Sequence, residues 1–261
     1  MTDAQTGALT RRPPPLGGFS TTLLSIELRR TARNRRTLVF TVVLPPVFFL
    51  LFSSAPGADQ RVGSGNVIAY LLVSMAVYGG MLASTSAGAG VSVERAAGWS
   101  RQLRLTPLRP VAYIATKLLV ALSLSALAVA VVYAVGLTSG ASMPAGVWVA
   151  TALLAWVCSL VFAAFGLFMG YLLPSENVMQ VLGPVLALLS FAGGLFVPLE
   201  AFGPTFRALA RLTPVYGVGE LARTPLTHDG HLLAAVVNVV VWTTVFTTGA
   251  ALRFRRDTAR V

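Results

Sequence analysis

Ionisable residues are scarce in this chain, and what is missing excludes whole classes of chemistry. Only 11% of the 261 residues are Asp, Glu, Lys or Arg, against about 25% in soluble globular domains. There are nine acidic residues, two histidines, one cysteine and a single lysine. One cysteine, Cys158, leaves no intrachain disulfide and no multi-cysteine metal site, and its default role is a small buried apolar side chain. A phosphate-cradling GxxxxGK[ST] loop needs a lysine after glycine; Lys117 follows Tyr-Ile-Ala-Thr, so the chain carries no Walker A sequence. His228 and His231 form an HxxH pair without a third ligand type and read as solvated loop residues. The long apolar runs hold no acidic residue beyond their ends. An intramembrane hydrolase would need a nucleophile, base or metal cluster there, and an ion-coupled transporter usually keeps ionisable groups there.

What is abundant is apolar sequence: 55% of residues are hydrophobic and the mean hydropathy is +0.75. Uncharged runs cover 37–58, 62–93, 118–175, 177–199 and 232–252. A bilayer core takes about 20 apolar residues per helix. The run 118–175 must therefore double back, and Leu-Thr-Ser-Gly-Ala-Ser-Met-Pro-Ala-Gly at 137–146 supplies the turn. The expected fold is an all-α integral membrane protein with six spans, about 37–56, 65–92, 111–137, 146–173, 177–198 and 232–252.

The net charge of +11 is a record of topology rather than of nucleic-acid binding. Segments 1–36, 93–117 and 253–261 hold 7, 5 and 4 Lys or Arg, which is 16 of the 20. With six spans these segments share one side, and the positive-inside rule makes that side, with both termini, cytoplasmic. The N-terminus does not read as a cleavable signal, because its arginines begin 11 residues in and the first apolar run is span-length. Residues 1–18, with three consecutive prolines, read as a disordered tail, and 253–261 as a basic cytoplasmic tail. Residues 19–36 read as an amphipathic helix at the membrane surface, with Phe19, Leu23 and Ile26 on one face. Arg30 and Arg33, with Arg29, Arg35 and Arg36, would meet lipid phosphates, or simply orient the first span.

Within the spans, Gly79, Ala83 and Ala87, and beside them Gly80, Ser84 and Gly88, form small-residue ridges suited to tight helix packing. Pro45 and Pro46 in the first span, and Gly193, Gly194 and Pro198 in the fifth, are candidate hinges or static bends. The segment 199–231 is too apolar for an ordinary loop. Phe202, Phe206, Leu209 and Leu212 recur at helical spacing, which predicts a re-entrant or interfacial helical hairpin. Glu200 and Glu220 are candidate partners for Arg207 and Arg211.

The charged stretch between the second and third spans, Glu94 to Leu108, reads as a short amphipathic basic helix at the membrane surface. Its sequence, ER-x-x-G-x-x-x-x-L-x-x-TPL followed by Thr116-Lys117, resembles the ABC-2 type transporter permeases, the membrane subunits of bacterial ABC exporters. The residues that carry the likeness are Glu94, Arg95, Gly98, Leu103, Thr106, Pro107 and Leu108. Arg101 stands where that family commonly has an acidic residue, and Trp99 where it often has a small one. The resemblance implies a coupling segment contacting a separate ATPase through Glu94, Arg95, Gly98, Arg101, Leu103, Arg104, Thr106 and Pro107. It further implies a second permease subunit, identical or related, with spans one and five near the seam. ATP and magnesium would sit on the ATPase, and this chain would bind no cofactor. The implied activity is outward movement of an amphiphilic small molecule, drug, antibiotic or lipid across the bacterial cell membrane. A polysaccharide or lipid-linked glycan exporter, and a non-transport sensor or scaffold, are the alternatives.

Overall fold

The computed structural model describes residues 18–98, 110–228 and 231–259. They form helices joined by short turns, with one two-residue antiparallel pair, β1 (Arg61–Val62) and β2 (Gly65–Asn66). In chain order the helices are α1 (Thr21–Arg33), α2 (Arg35–Leu38), a π-helical stretch (Val39–Val43), α3 (Leu44–Ser53), α4 (Val67–Ala89), α5 (Val91–Ala96) and α6 (Pro110–Gly136). There follow α7 (Ala145–Cys158), α8 (Leu160–Leu172), α9 (Ser175–Ala192), α10 (Pro204–Ala210), α11 (Pro214–Thr227) and α12 (Leu232–Ala259). Among the described residues, five helical segments are long and apolar enough to cross a membrane: Val67–Ala96, Val111–Gly136, Ala145–Leu172, Ser175–Ala192 and Leu232–Phe254. Where the first of six spans is expected, the apolar helix Val39–Ser53 is shorter than that length. It is prolonged by α2 into helical backbone running from Arg35 to Ser53.

α4 is the hub. Of its most apolar window 89% is buried, against 11% for the window in α12. It packs against α3, α6, α7, α8 and α11. The two small-residue ridges face different neighbours. A Cβ on Gly79 would sit 3.2 Å from Pro45 and 3.5 Å from Ala128, and Ala83 packs with Leu124 and Ala128. On the other ridge, a Cβ on Gly88 would lie 2.5 Å from the Ala163 carbonyl oxygen, and Gly166 of α8 is pressed as closely on Thr85. Both ridges therefore serve packing within the chain. Hydroxyls fill the seam: Ser84 and Ser125 both bond Ser159, and Thr85 Oγ1 donates to the Phe162 carbonyl. Ser159 is also where the expected fourth span divides into α7 and α8.

Pro45 and Pro46 have no N–H to offer the carbonyls one turn before them, and the ladder slips to the wider π register over Val39–Val43. Both prolines are buried, with Pro45 wedged on Gly79. The fifth span ends earlier than expected, at Ala192 rather than 198. Gly193 caps it and Gly194, at φ +76°, turns the chain in the left-handed region. Gly193 and Gly194 thus end α9 instead of bending a continuous span, and Pro198 precedes the turn at Leu199–Ala201. Pro184, by contrast, lies inside α9.

At the end of the bundle away from α1, Asn66 gathers the turns. Its Oδ1 caps α4 through Ala69 N–H at 2.9 Å and accepts from Ser142 N–H at 3.1 Å, while Nδ2 donates to the Gly140 carbonyl. The expected hairpin is a single 3₁₀ turn at Leu199–Ala201, then α10 and α11. α11 is set against α4, α7 and α12. The expected partners for its acids are corrected here: Glu220 pairs at 3.3 Å with Arg223, one turn along the same helix, rather than with Arg207 or Arg211.

The packing predicts that Gly88→Val or Gly166→Val removes most folded protein, because backbone blocks the added methyl groups. Gly183→Ala, where a Cβ meets nothing within 4 Å, should be neutral or stabilising by about 1 kcal/mol from helix propensity. Fluorescence-detected size exclusion after graded heating distinguishes the two outcomes.

Candidate functional site

The first helix enters the site because of how it is capped. Ser20 accepts the Thr22 N–H at 3.2 Å to start α1, and Asn34 accepts the Thr37 N–H at 3.2 Å where the next helix begins. Between these caps the one buried residue of α1 is Glu27. The apolar face expected of a helix at the membrane surface is not the face packed on the bundle. Ile26 is 56% exposed and Phe19 and Leu23 are half-buried. The charged Glu27, not the Ile26 face, turns inward.

Glu27 meets a second carboxylate and a lysine. Tyr113 and Lys117 lie one turn apart on α6, so both project from the same face. Lys117 Nζ donates to Glu27 Oε2 at 2.8 Å and also to Glu94 Oε1 of α5. The Tyr113 hydroxyl donates to the other oxygen, Glu94 Oε2. Arg30 Nη1 donates to Glu94 Oε1 at 3.2 Å and stands 4.0 Å from Glu27 Oε1. Two carboxylates and two cations make the group formally neutral. Glu27, Glu94 and Lys117 are buried, whereas Arg30 reaches the surface. An open cleft of about 160 Å³ lies beside the cluster, with Asn34, Thr37 and Ser86 also on its walls. Isolated charges this deep would be costly, so each carboxylate is retained only with its cation and hydrogen bonds.

The next residue, Arg95, takes a different partner. Its Nη1 donates at 3.1 Å to the carbonyls of Gly170 and Tyr171, in the last turn of α8, with the guanidinium 5.6 Å from the Tyr171 ring centre. Last-turn carbonyls have no intrahelical donor, and a cation there also meets the negative end of the helix dipole. Glu94 and Arg95 are therefore both engaged within the chain, Glu94 with α1 and α6 and Arg95 with α8.

Gly98 accounts for where the helix stops. Its φ is +72°, and its N–H donates to the Arg95 carbonyl at 3.0 Å. That left-handed residue closes α5, which ends at Ala96; the rest of the helix expected over 94–108, from 99 on, lies outside the described residues. A Cβ at Gly98 would meet nothing within 4 Å, so the glycine serves backbone conformation rather than close approach within the chain. Trp99, Arg101, Leu103, Arg104, Thr106 and Pro107 lie outside the described residues.

Sequence reasoning singled out Glu94 and missed its partners. Two signals were present. Lys117 is the only lysine, and Glu27 is the only acid in an arginine-rich segment. Neither composition nor periodicity pairs residues 90 and 64 positions apart.

These elements define a class. A bundle of apolar helices, an amphipathic lead helix pinned to it, and a charged segment between the second and third long apolar stretches match the ABC-2 type transporter family over residues 20–226. The chain belongs to that family. It is also similar to the candidate transport permease YvfS of Bacillus subtilis (strain 168), with 24% identity over 198 residues covering 74% of this chain and 79% of that protein. It is accordingly a multi-pass membrane protein and a transporter permease.

The cluster predicts a charge-balance effect. Lys117→Met leaves two buried carboxylates facing Arg30 alone and should cost about 3–5 kcal/mol. Adding Glu94→Gln restores formal neutrality and should recover part of that loss. Thermal unfolding of the single and double variants in the same detergent checks the order; a double variant no more stable than Lys117→Met would contradict it.

Proposed function

We propose that this chain is the permease subunit of an ATP-driven ABC-2 type exporter. A separate ATPase subunit, carrying ATP and magnesium, docks on the end of the bundle that bears α1 and α5. A second permease subunit, the same chain or a related one, completes the path. The cargo class is an amphiphilic small molecule, drug, antibiotic or lipid, moved outward across the bacterial cell membrane. The helical stretch Arg35–Ser53 serves as the first of six spans. At about 1.5 Å per residue it reaches about 28 Å, close to the thickness of a bilayer core. Both termini then lie in the cytoplasm, the side on which 16 of 20 basic residues fall.

The observation that carries this reading is the shared seat of Glu94. The segment a partner would push, starting at Gly98, is continuous with α5. Through Glu94, α5 is tied to Lys117 on α6 and Arg30 on α1. Through Arg95 it is tied to the end of α8. A displacement of the 99–109 segment would thus be delivered to three helices rather than absorbed in a loop. In this role Glu94 acts as a positioning residue, with the residues after Gly98 forming the contact. The glycan-exporter alternative asks for aromatic residues lining a continuous channel. Several of those in the first, second and fifth apolar segments cluster together: the Phe196 ring lies 4.9 Å from Tyr78, 5.8 Å from Phe48 and 5.5 Å from Phe191.

The test is purification of the tagged chain from its native membrane, followed by ATPase assay of the complex. An ATPase should copurify, and its turnover should respond to a panel of amphiphiles. Gly98→Leu forces a side chain into left-handed backbone at a cost of about 1–2 kcal/mol, too little to unfold the bundle. It should leave the complex assembled but lower stimulated turnover at least about fivefold. Normal assembly with full stimulated turnover in both Gly98→Leu and Glu94→Ala would sink the coupling role.

A further inference from the structure

Arg223 is among the largest side chains in this protein to be fully buried, at 2% exposure, and the coupling cluster at the other end of α4 does not use it. It sits on α11, and its bonds run to three places. Nη1 donates to Ser74 Oγ of α4 at 3.1 Å and to the Gly194 carbonyl, just after α9, at 3.1 Å. Nη2 donates to Glu220 at 3.3 Å, and the guanidinium lies 4.8 Å from the Tyr70 ring centre on α4. The turn at Gly194, left-handed at φ +76°, leaves that carbonyl free of the α9 ladder.

The rest of the hairpin is tied elsewhere. Asn238 of α12 donates to the carbonyls of Arg211 and Thr213, at 2.9 and 3.1 Å. Trp242 of the same helix donates to the Leu212 carbonyl at 2.9 Å. The start of α11 is thus bonded to α12, while its middle is bonded to α4 and the end of α9 through Arg223. In hydrocarbon, apolar helix faces gain little by choosing each other over lipid, so directional polar ties fix position. An apolar side chain at 223 would remove the polar tie between the middle of α11 and α4, leaving the Ser64 bonds to the Leu226 carbonyl at its last turn and apolar packing on α7. A planar guanidinium with two acceptors on different elements fixes its register on α4.

We propose that Arg223 is a positioning residue that latches the α10–α11 hairpin onto α4 and the end of α9. Its release lets the hairpin swing with α12 and opens this end of the bundle. The proposal does not depend on ATP coupling or on which cargo is moved.

Cysteine accessibility tests it in the full-length chain, in permeabilised native membranes, after Cys158→Ala. Leu195→Cys reports the seat of the hairpin, since Leu195 is 1% exposed and packs under α11 beside Gly219. Val129→Cys, buried in α6 at 4%, reports the bundle as a whole. With Arg223 present, both should react slowly with a membrane-impermeant maleimide. Arg223→Gln should raise labelling at 195 by about tenfold, the scale of one charge-assisted hydrogen bond, and leave 129 unchanged. Arg223→Lys, which keeps the charge but loses the fork, should fall between. Unchanged labelling at 195 overturns the latch, and so does an equal rise at both positions, which would make Arg223 a general core residue. If Arg223→Gln fails to accumulate, Ser74→Ala removes a single bond. It should raise labelling at 195 alone by about threefold, and no rise there overturns the proposal equally.

Discussion

Helices in a bilayer cannot rely on the expulsion of water to choose their neighbours, and that constraint explains how this chain is arranged around α4. Two devices remain: close approach, which multiplies dispersion contacts, and polar bonds, which are costly to leave unmade in hydrocarbon. α4 uses both along its length. Gly79, Gly80 and Gly88 admit Pro45, Ser159 and the backbone of α8. Ser84 and Thr85 add hydroxyl bonds in the same seam. Toward its two ends the ties involve charged side chains. Glu94 follows α4 at one end, and Ser74 and Tyr70 receive Arg223 toward the other.

These ionic ties differ in what they hold. The Glu27, Glu94 and Lys117 cluster joins segments that are not consecutive: a lead helix, a short helix before the charged segment, and the helix after it. Its value lies in connection more than in stability, since a buried ion pair gains little over an apolar substitute of the same shape. What it does provide is direction. Lys117 has three donors and finds two carboxylates from different helices, so α1 cannot shift relative to α5 without breaking one of them. That linkage is the part of the structure most directly suited to passing a movement from one segment to another.

Much of the architecture was legible because hydropathy, charge and glycine spacing are local signals. The apolar helices, the turn near 137–146, the small-residue ridges and an apolar helical hairpin after the fifth apolar run could all be read from the chain. What could not be read falls into two physical kinds. Helix ends depend on backbone conformation: left-handed Gly194 turns the chain just after α9, a span that hydropathy alone would have continued to Pro198. Partners depend on folding in three dimensions. Glu27 looked like an incidental acid among arginines, and Lys117 mattered first as a lysine in the wrong place for nucleotide binding. Arg223 was passed over for Arg207 and Arg211, although its three-residue spacing from Glu220 was a local sign. The amphipathic pattern of α1 does not say which of its residues turns into the bundle. Here a carboxylate was the inward group, and its partner on α6 lay 90 residues away.

The placement of the ties also determines which elements can move together. α12 is only sparsely buried, yet it bonds the start of α11 through Asn238 and Trp242 and packs along α8. α8 in turn gives its last carbonyls to Arg95. A route of direct contacts therefore runs from the charged segment through α8 and α12 to the hairpin, without passing through the tightly packed centre of α4. In this arrangement α4 serves as the fixed reference, with Arg223 tied to it toward one end and the Glu94 cluster joining α1, α5 and α6 beyond the other. A bundle with a rigid middle and specific ties at each end can change shape at its ends while its core stays packed. That is what close-packed interiors require of any protein that switches between discrete states.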